Sequence, residues 1–350
     1  MVRGPLHGIA RYALELARRL PALEPTWQFE GLVGPKYSAE DLGPLSPRIP
    51  LLRTSTDFLA PLEQPTLASA LFHAKPDLFH ATSFSVPALW PGALVATLHD
   101  ANHLALAESS TMARTAYYRL VVAPRARYAK ALITVSEFSR RELSEHLGLQ
   151  PERLQVIANG VDASFRPPPA RELESFRARR GLPVKYFAAI GSTKPHKNPR
   201  VLQSVAEVLG APLVMLAGRG ARRSLGFSEH TIELSPLPDD ELVRFYGGAL
   251  GVLVPSRYEG FGFPALEAMA CGAPVIAASS GALPDVIGQA GLLVSPDNSL
   301  AWKEAALRLF RDEELRRRLS VLGLERVARY SWDDCAKQTI EVYRRALKTR

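Results

Sequence analysis

The sequence predicts an α/β protein with two parallel sheets that are covered by helices. Three observations support this prediction. Helical and strand periodicities alternate along the whole chain, which is typical of parallel sheets. The alternation is interrupted at Pro167-Pro168-Pro169 and then restarts, which indicates a domain boundary. The length of 350 residues exceeds what one hydrophobic core usually organises, so two domains are expected.

The first predicted domain covers residues 1–168. Its predicted elements are helices over 9–20 and 117–131, strands over 94–98 and 132–135, and a further strand near Val156 that ends in the Asn159-Gly160 turn. A doubly wound domain normally opens with a strand, whereas Met1 lies only a few residues before the first helix. We therefore expect the first strand of this domain to be missing, so that either the chain begins downstream of the true start or another segment fills the gap.

The second predicted domain covers residues 169–331. Its predicted elements are strands over 186–190, 213–217, 250–254 and 274–277 and helices over 300–310 and 313–329. A last amphipathic pattern predicts a helix within residues 332–350, and we expect it to cross back to the first domain. Two domains also make a ligand cleft available between them.

Composition and charge limit the kinds of partner, metal site and cellular location that are expected. A net charge of +8 with a pI near 9.6 suggests an anionic partner, which nucleic acid, nucleotide phosphates or an acidic membrane surface would each provide. No nucleic-acid-reading module is found, so no nucleic-acid partner is expected. The two cysteines, Cys271 and Cys335, lack zinc-finger spacing, and no structural metal is expected. The sequence shows no apolar run of about 20 residues and no signal peptide, which predicts a cytoplasmic protein.

One segment carries groups that suit a phosphate and groups that suit sugar hydroxyls. A loop at the end of an apolar strand contains Gly260 and Gly262 and opens a short helix with Pro264 in its first turn. The glycines permit close backbone approach, and the amides at the helix start carry partial positive charge that suits phosphate. Glu259 and Glu267 flank this anion site, so we expect them to face hydroxyls of a sugar nucleotide. Alone, either glutamate would be a solvated charge that the helix dipole favours.

A basic loop follows the predicted strand 186–190. It reads Gly-Ser-Thr-Lys-Pro-His-Lys-Asn over residues 191–198. A loop at the carboxyl end of a parallel strand faces the ligand crevice, so Ser192, Lys194 and Lys197 are candidates for phosphate contact. A surface lysine is usually only solvated, and this alternative stays open for Lys194.

Several motifs together resemble glycosyltransferase family 4, the glycosyl transferases of group 1. Glu259 and Glu267, with seven residues between them, match the signature of that family. Further segments that resemble the family lie at 97–100, 135–139, 156–162, 268–276 and 290–294. The resemblance covers nearly the whole chain and is to bacterial enzymes of the mannosyltransferase type. It implies the GT-B fold, in which two Rossmann-like, doubly wound domains face a cleft.

The resemblance also assigns roles to residues. It implies that Glu259 contacts sugar hydroxyls, that Glu267 contacts the ribose and that Lys197 contacts the phosphates. The further donor contacts that it implies are Gly262, Phe263 and Pro264 in the second domain and Gly8 in the first. His99 matches a family histidine beside the donor sugar, although a histidine after an apolar strand is more often structural.

The basic loop departs from the family pattern. Many relatives carry an arginine near its glycine or its second lysine, whereas this chain has Ser192 and His196 at those positions. The second cation is therefore either supplied by His196, Lys194 or Arg219, or absent with a lower affinity for the donor.

Residues 114–130 form a basic amphipathic segment. It contains five cations and no acid, with apolar residues between the charges. Such a helix can lie on an anionic membrane surface, which would bring the protein to a lipid-linked acceptor. The alternative is a solvated helix face beside an interdomain contact.

The sequence thus predicts a glycosyltransferase, and the resemblance implies that it retains the anomeric configuration. It would move a hexose from a GDP-mannose or UDP-glucose type donor to a hydroxyl of a glycan or lipid-linked acceptor in polysaccharide biosynthesis. The catalytic candidates are Glu259, Lys197 and His99, and no cofactor or metal is expected, since Lys197 would offset the charge of the leaving diphosphate. The expected location is the cytoplasm, at the inner face of the cytoplasmic membrane if residues 114–130 bind lipid. The alternatives are a degenerate protein that binds nucleotide or glycan without turnover, and a nucleotide-sugar epimerase.

Overall fold

The chain folds into two compact units. The computed structural model describes residues 8–35, 49–56, 60, 62–106, 111–190, 192–206 and 211–348. The first unit comprises residues 1–160 and 331–350, and the second comprises residues 161–330.

The boundary of the second unit lies earlier than the predicted boundary after residue 168. Pro168 packs closely over Gly247, and Pro167 lies over Gly272, both of which belong to the second unit. The proline run is therefore packed against that unit and is not a linker. The second boundary, predicted after residue 331, lies between Tyr330 and Ser331.

The elements alternate in each unit. In residues 8–156 they are α1 (Gly8–Leu23), β1 (Gly31–Val33), β2 (Leu51–Arg53), α2 (Glu63–Ala74), β3 (Leu78–Ala81), β4 (Ala93–Thr97), α3 (Asn102–Ala105), α4 (Met112–Tyr117), a π-helical turn (Tyr118–Val122), α5 (Ala123–Tyr128), β5 (Ala131–Thr134), α6 (Glu137–Leu147) and β6 (Leu154–Val156). In residues 161–330 they are α7 (Ala170–Arg180), β7 (Phe187–Ile190), α8 (Gln203–Ala206), β8 (Leu213–Leu216), α9 (Ala221–Ser224), β9 (Ile232–Leu234), α10 (Asp239–Gly247), β10 (Gly251–Val254), α11 (Phe263–Ala270), β11 (Val275–Ala278), α12 (Leu283–Ile287), β12 (Leu292–Val294), α13 (Ser299–Arg311) and α14 (Glu313–Val327). The last helix is α15 (Trp332–Lys348).

The described residues of the first unit form two parallel sheets. Strands β1 and β2 pair with each other, and β3, β4, β5 and β6 pair in that order. Leu94, Val95 and Ala96 of β4 are buried at the centre of the larger sheet. The expected absence of an opening strand concerns residues 1–7, which lie outside the described residues, and α1 is the first described element.

The second unit contains one six-stranded parallel sheet. Its order is β12-β11-β10-β7-β8-β9, so the chain moves outward from β7 in one direction and returns to start again at β10. Leu253 pairs with Ala189 in this central register. This is the doubly wound Rossmann order, and the β7–β10 pair is its topological switch point, where ligands of such sheets bind.

The sequence does not predict five of the strands. These are β1, β2, β3, β9 and β12, each of which has three or four residues and is partly exposed, so no apolar run marks them. The helix predicted over 117–131 begins earlier, with Thr111 as its N-cap, and ends at Tyr128 because Ala131 already starts β5. Among the described residues, no helix is both long enough and apolar enough to cross a membrane.

Helix α15 completes the first unit. It packs against α1 and against β3 and β4. At its start, Trp332 lies so close to Gly160 that a Cβ on this glycine would be 2.2 Å from the Trp332 backbone nitrogen. Farther along, the Tyr343 hydroxyl bonds to Nδ1 of His80 on β3. The C-terminal segment is therefore anchored to the first unit at both ends.

The contact at Gly160 predicts a stability difference between two glycine variants. Gly160→Ala should destabilise the protein by about 1–3 kcal/mol, because backbone atoms must shift to admit the methyl group. Gly218→Ala is the matched control, since nothing lies within 4 Å of its Cβ position. Thermal unfolding should show a Tm several degrees lower for the first variant only. Equal Tm values would contradict the packing of Trp332 on Gly160.

Candidate functional site

Two loops leave the switch point of the second sheet side by side. We call residues 192–198 the β7 loop and residues 255–262 the β10 loop. They are far apart in sequence, but β7 and β10 are hydrogen-bonded neighbours with parallel register. Both loops therefore start at the same edge of the sheet, and the two predicted phosphate elements come together there.

The two loops are joined by backbone and side-chain hydrogen bonds. The Arg257 amide donates to the carbonyl oxygen of His196 at 2.7 Å. Asn198 adopts a left-handed conformation with a φ of 52°, is buried, and donates from Nδ2 to the carbonyl oxygens of Pro255 at 3.2 Å and Pro296 at 2.6 Å. These contacts fix the β7 loop against the β10 loop.

The joined loops bring two predicted catalytic side chains into contact. Lys197 Nζ donates to Glu259 Oε1 at 2.8 Å. The Ser256 hydroxyl donates to the same oxygen at 2.7 Å. Ser256 is buried, whereas the Lys197 side chain keeps 31% of its exposure and the Glu259 side chain keeps 12%. An ammonium and a carboxylate thus lie together at a partly open site.

The backbone of Glu259 is held by the turn before α12. The Ala282 amide donates to the Glu259 carbonyl oxygen at 2.9 Å. Gly281 has a φ of +63°, and a Cβ there would lie 2.8 Å from the Glu259 nitrogen and 2.9 Å from its oxygen. Only glycine satisfies both constraints. Ser280 donates from Oγ to the Ser256 carbonyl oxygen at 2.9 Å, so the same turn also holds Ser256.

Helix α11 starts directly after the β10 loop. Its N-cap is Gly262, with a φ of 104°, and Pro264 lies in its first turn. Pro264 has no amide hydrogen, so any contact that it makes with a donor is not a hydrogen bond from its backbone. Phe263 begins the helix, and Glu267 lies one turn later with 7% exposure. The positive end of the helix dipole therefore faces the site that Lys197 and Glu259 form.

The remaining predicted residues of the β7 loop differ in exposure. Ser192 is half-buried, and its Oγ accepts from the Lys194 amide at 3.3 Å. The Lys194 side chain is exposed, whereas His196 is buried. Of the three candidate second cations, Lys194 and Arg219 are exposed, while His196 is the buried one. Gly191, at the start of the motif, lies outside the described residues.

The other two predicted site residues lie together in the first unit. Gly8 begins α1, and one turn later the Tyr12 ring packs edge-on against His99, with ring centroids 4.9 Å apart. His99 Nε2 lies 3.0 Å from the Thr82 carbonyl oxygen, which can only accept, so Nε2 carries the proton. Nδ1 of His99 is then an acceptor, as a contact to a hydroxyl would require.

A buried polar chain supports this arrangement. Thr97 Oγ1 bonds to the Tyr12 hydroxyl at 2.8 Å and to His80 Nε2 at 2.8 Å, and His80 Nδ1 continues the chain to Tyr343. Burial lowers the pKa of His80 to about 3, and the neighbouring His99 adds to the shift. Burial lowers the pKa of His99 to about 4, although its hydrogen bond to Thr82 acts in the opposite direction. Both imidazoles are neutral at physiological pH.

Metal ligands are not clustered in the described part of the chain. No group of three or more His, Cys, Asp or Glu side chains there is arranged to hold a metal ion. Cys271 and Cys335 are free and buried, and burial raises the pKa of both thiols.

Sequence reasoning missed Asn198 and Ser256. Asn198 precedes Pro199, a position that favours extended backbone, and an asparagine before proline is a turn signal. Ser256 stands three residues before Glu259, and this Ser-x-x-Glu spacing usually indicates a helix capping box. Here the hydroxyl bonds to the glutamate side chain itself, which the spacing does not reveal.

The neutral histidines predict a pH dependence of stability. An unfolded histidine has a pKa near 6.5, so the unfolded chain binds more protons than the folded chain between this value and the folded pKa values. The contribution of the two histidines to the free energy of unfolding is therefore fully present above pH 6.5 and is lost as the pH falls toward 4. Each histidine should contribute a slope of up to about 1.4 kcal/mol per pH unit. His80→Gln should reduce this slope in urea unfolding of the first unit, and an unchanged slope would contradict the buried neutral state.

Comparisons with known proteins identify the family to which both parts of the chain are similar. Residues 6–165 match the Glycosyltransferase Family 4 model, and residues 171–323 match the Glycosyl transferases group 1 model. Among curated proteins, the chain is 29% identical to O-antigen chain mannosyltransferase B of Escherichia coli, over 98% of this chain and 97% of that protein.

Solved structures share the fold at low sequence identity. Sucrose-phosphate synthase from Thermosynechococcus elongatus superposes with a TM-score of 0.80 at 22% identity, over 98% of this chain and 94% of that one. HepE from Anabaena, in complex with UDP and glucose, gives a TM-score of 0.77 at 18% identity, over 98% of both chains. The chain therefore has the GT-B fold, and it belongs to the group 1 glycosyl transferases with an N-terminal domain of glycosyltransferase family 4.

Proposed function

We propose that the chain is a retaining hexosyltransferase that uses a nucleotide-sugar donor. The single observation that supports this most is the contact of Lys197 with Glu259 at the switch point, directly before the positive end of α11. A diphosphate needs positive charge, and a sugar needs hydrogen-bond acceptors. The site offers both within one hydrogen-bond distance.

Each residue has one proposed task. Lys197 and the start of α11, with Gly262 and Phe263, offset the charge of the diphosphate. Glu259 accepts hydrogen bonds from sugar hydroxyls. Glu267, one turn into the helix, accepts from the ribose hydroxyls.

Four further residues have proposed donor contacts, two of them in each unit. Ser192 and Lys194 of the β7 loop make outer contacts to the phosphates. In the first unit, Gly8 opens α1 toward an anion, and His99 accepts a hydrogen bond from a sugar hydroxyl through Nδ1. The acceptor role follows from the Thr82 contact, which fixes the proton on Nε2.

The proposed reaction is metal-independent and retains the anomeric configuration. The bond between the anomeric carbon and the diphosphate oxygen breaks, and a bond to the acceptor oxygen forms on the same face. The acceptor proton passes to the departing diphosphate, whose growing charge Lys197 offsets. Lys197 supplies the positive charge that a divalent cation supplies in other transferases.

The donor is proposed to be of the GDP-mannose or UDP-glucose type. One relative is called a mannosyltransferase, and one solved relative holds UDP and glucose. The acceptor is proposed to be a hydroxyl of a glycan or a lipid-linked glycan in polysaccharide synthesis. The name of the O-antigen relative supports this class of acceptor.

We further propose that residues 114–130 contact the inner face of the cytoplasmic membrane. Leu120 and Tyr128 of this segment are exposed by 76% and 82%, and the neighbouring Met112 is exposed by 91%. Arg119 and Arg127 are exposed beside them, although Arg127 also donates to the Leu147 carbonyl oxygen. Exposed apolar side chains flanked by cations are typical of a surface that lies on anionic lipid.

The donor roles predict different effects for the two glutamates. Glu267→Ala should weaken UDP or GDP binding by about 10- to 100-fold, because a ribose hydrogen bond to a charged group is lost. Glu259→Ala should change nucleotide binding by less than about threefold and slow sugar transfer by about 100-fold. Calorimetry with UDP and GDP, and mass spectrometry of nucleotide released from UDP-glucose and GDP-mannose, measure both effects.

The control is Glu174→Ala, an exposed glutamate on α7 of the same unit, which should behave as wild type. Failure of the wild-type chain to bind any nucleotide sugar would reject the proposed function. Binding without sugar release would indicate the degenerate alternative, and conversion of the donor sugar without an acceptor would indicate the epimerase.

The membrane proposal predicts a vesicle-binding difference. The variant Leu120→Ser should bind phosphatidylglycerol vesicles at least about tenfold more weakly, because burial of one leucine contributes about 1.5–3 kcal/mol. Val184→Ser is the control, since Val184 is 74% exposed but lies in the second unit. Sedimentation with anionic and zwitterionic vesicles measures the effect. Equal binding by both variants would refute the surface.

A further inference from the structure

We propose that Ser256 is a positioning residue that holds the Glu259 carboxylate in its working orientation. This inference rests on the proposed function and deepens it. The Ser256 hydroxyl donates to Glu259 Oε1, the oxygen that also receives the Lys197 ammonium. No hydrogen bond from the described residues reaches Oε2. The serine and lysine therefore engage one oxygen and leave the other for a sugar hydroxyl.

Ser256 is suited to this task because its own position is fixed. It has 3% exposure and lies two residues after the end of β10 at Val254. Its carbonyl oxygen accepts from Ser280 Oγ at 2.9 Å, and the preceding carbonyl, that of Pro255, accepts from Asn198. Hydrogen bonds from two other segments thus hold the backbone that carries the Ser256 hydroxyl.

The contribution of Ser256 becomes larger when a donor binds. Lys197 is the only cation of the described residues that pairs with Glu259, and the same ammonium has to face the phosphates. When Lys197 turns toward a diphosphate, Glu259 loses one of the two hydrogen bonds at Oε1. Ser256 is the remaining donor that restricts the glutamate, whose free side chain has several rotatable bonds and considerable rotamer entropy.

The backbone of Glu259 is restricted separately from its side chain. Gly281 and Ala282 contact the main-chain atoms of Glu259, and Ser256 contacts the carboxylate. Loss of the Ser256 hydroxyl should leave the loop in place and free only the carboxylate. A misplacement of about 1 Å in a reacting group can cost about 100-fold in rate.

The test compares variants of Ser256 in the full chain. Ser256→Ala should lower kcat for sugar release from UDP-glucose or GDP-mannose by about 10- to 100-fold. The Kd for UDP or GDP should change by less than about twofold, because Ser256 does not contact the nucleotide in this account. Ser256→Thr, which keeps the hydroxyl, should recover most of the rate. If the added methyl group perturbs this buried position, Ser256→Cys provides a weaker donor with an intermediate rate.

A double variant separates positioning from a general structural effect. In the Glu259→Ala background, Ser256→Ala should cost less than about twofold further, because the carboxylate that Ser256 contacts is already absent. Ser204→Ala is the matched control, since its hydroxyl donates to the Ser299 carbonyl oxygen at 2.7 Å and not to Glu259. It should retain the wild-type rate. Thermal unfolding of each variant verifies that it is folded.

The outcomes are distinguishable from failure of the proposed function. A wild-type chain that releases no sugar from either donor rejects the proposed function and this inference with it. A wild-type chain that is active, with a folded Ser256→Ala variant of equal kcat, overturns the positioning role alone. Additive losses in the double variant would overturn it as well, because independent sites add.

Discussion

The reversal of strand order between β7 and β10 is the constraint on which the second unit depends. Because the chain restarts at the centre of its sheet, the β7 loop and the β10 loop leave neighbouring strand ends. Asn198 and the Arg257 amide then join the two loops. Neither phosphate element would meet the other in a sheet whose strands followed sequence order.

The contact between Lys197 and Glu259 contributes little to stability. A partly buried ion pair gains little net free energy, since desolvation opposes the attraction between the charges. The loops are also held by other contacts: the Asn198 side-chain amide donates to the Pro255 carbonyl oxygen, the Ala282 amide donates to the Glu259 carbonyl oxygen, and Gly281 packs against the Glu259 backbone. The two joined loops thus hold the Lys197 ammonium and the Glu259 carboxylate close together. An ammonium suits a diphosphate, and a carboxylate suits sugar hydroxyls.

The sequence predicts the central strands and the charged candidate residues, but it does not predict the partly exposed strands or Ser256. The central strands are predicted because they are apolar and buried along nearly their whole length, whereas β1, β2, β3, β9 and β12 are partly exposed. The Glu259 to Glu267 segment and Lys197 were identifiable because charged and glycine residues mark a site by type and spacing. Ser256 was not, because serines are common and only its distance to Glu259 reveals its partner.

In the first unit, too, the sequence does not predict contacts between residues that are distant in sequence. His99 was selected from a motif, but its tautomer depends on the Thr82 carbonyl oxygen and its packing on Tyr12. The proline run at 167–169 predicts a domain boundary, whereas the boundary lies after Gly160 and Pro168 packs over Gly247 within the second unit. Such contacts join residues that are distant in sequence, so no local pattern contains them.

A crystal structure of the full chain with UDP-glucose or GDP-mannose would test the central claim most directly. The account predicts the diphosphate at the start of α11, with Lys197 on the phosphate and Glu259 Oε2 on a sugar hydroxyl while Ser256 keeps Oε1. A nucleotide bound elsewhere, or a donor complex in which Lys197 and Glu259 contact neither phosphate nor sugar, would contradict it.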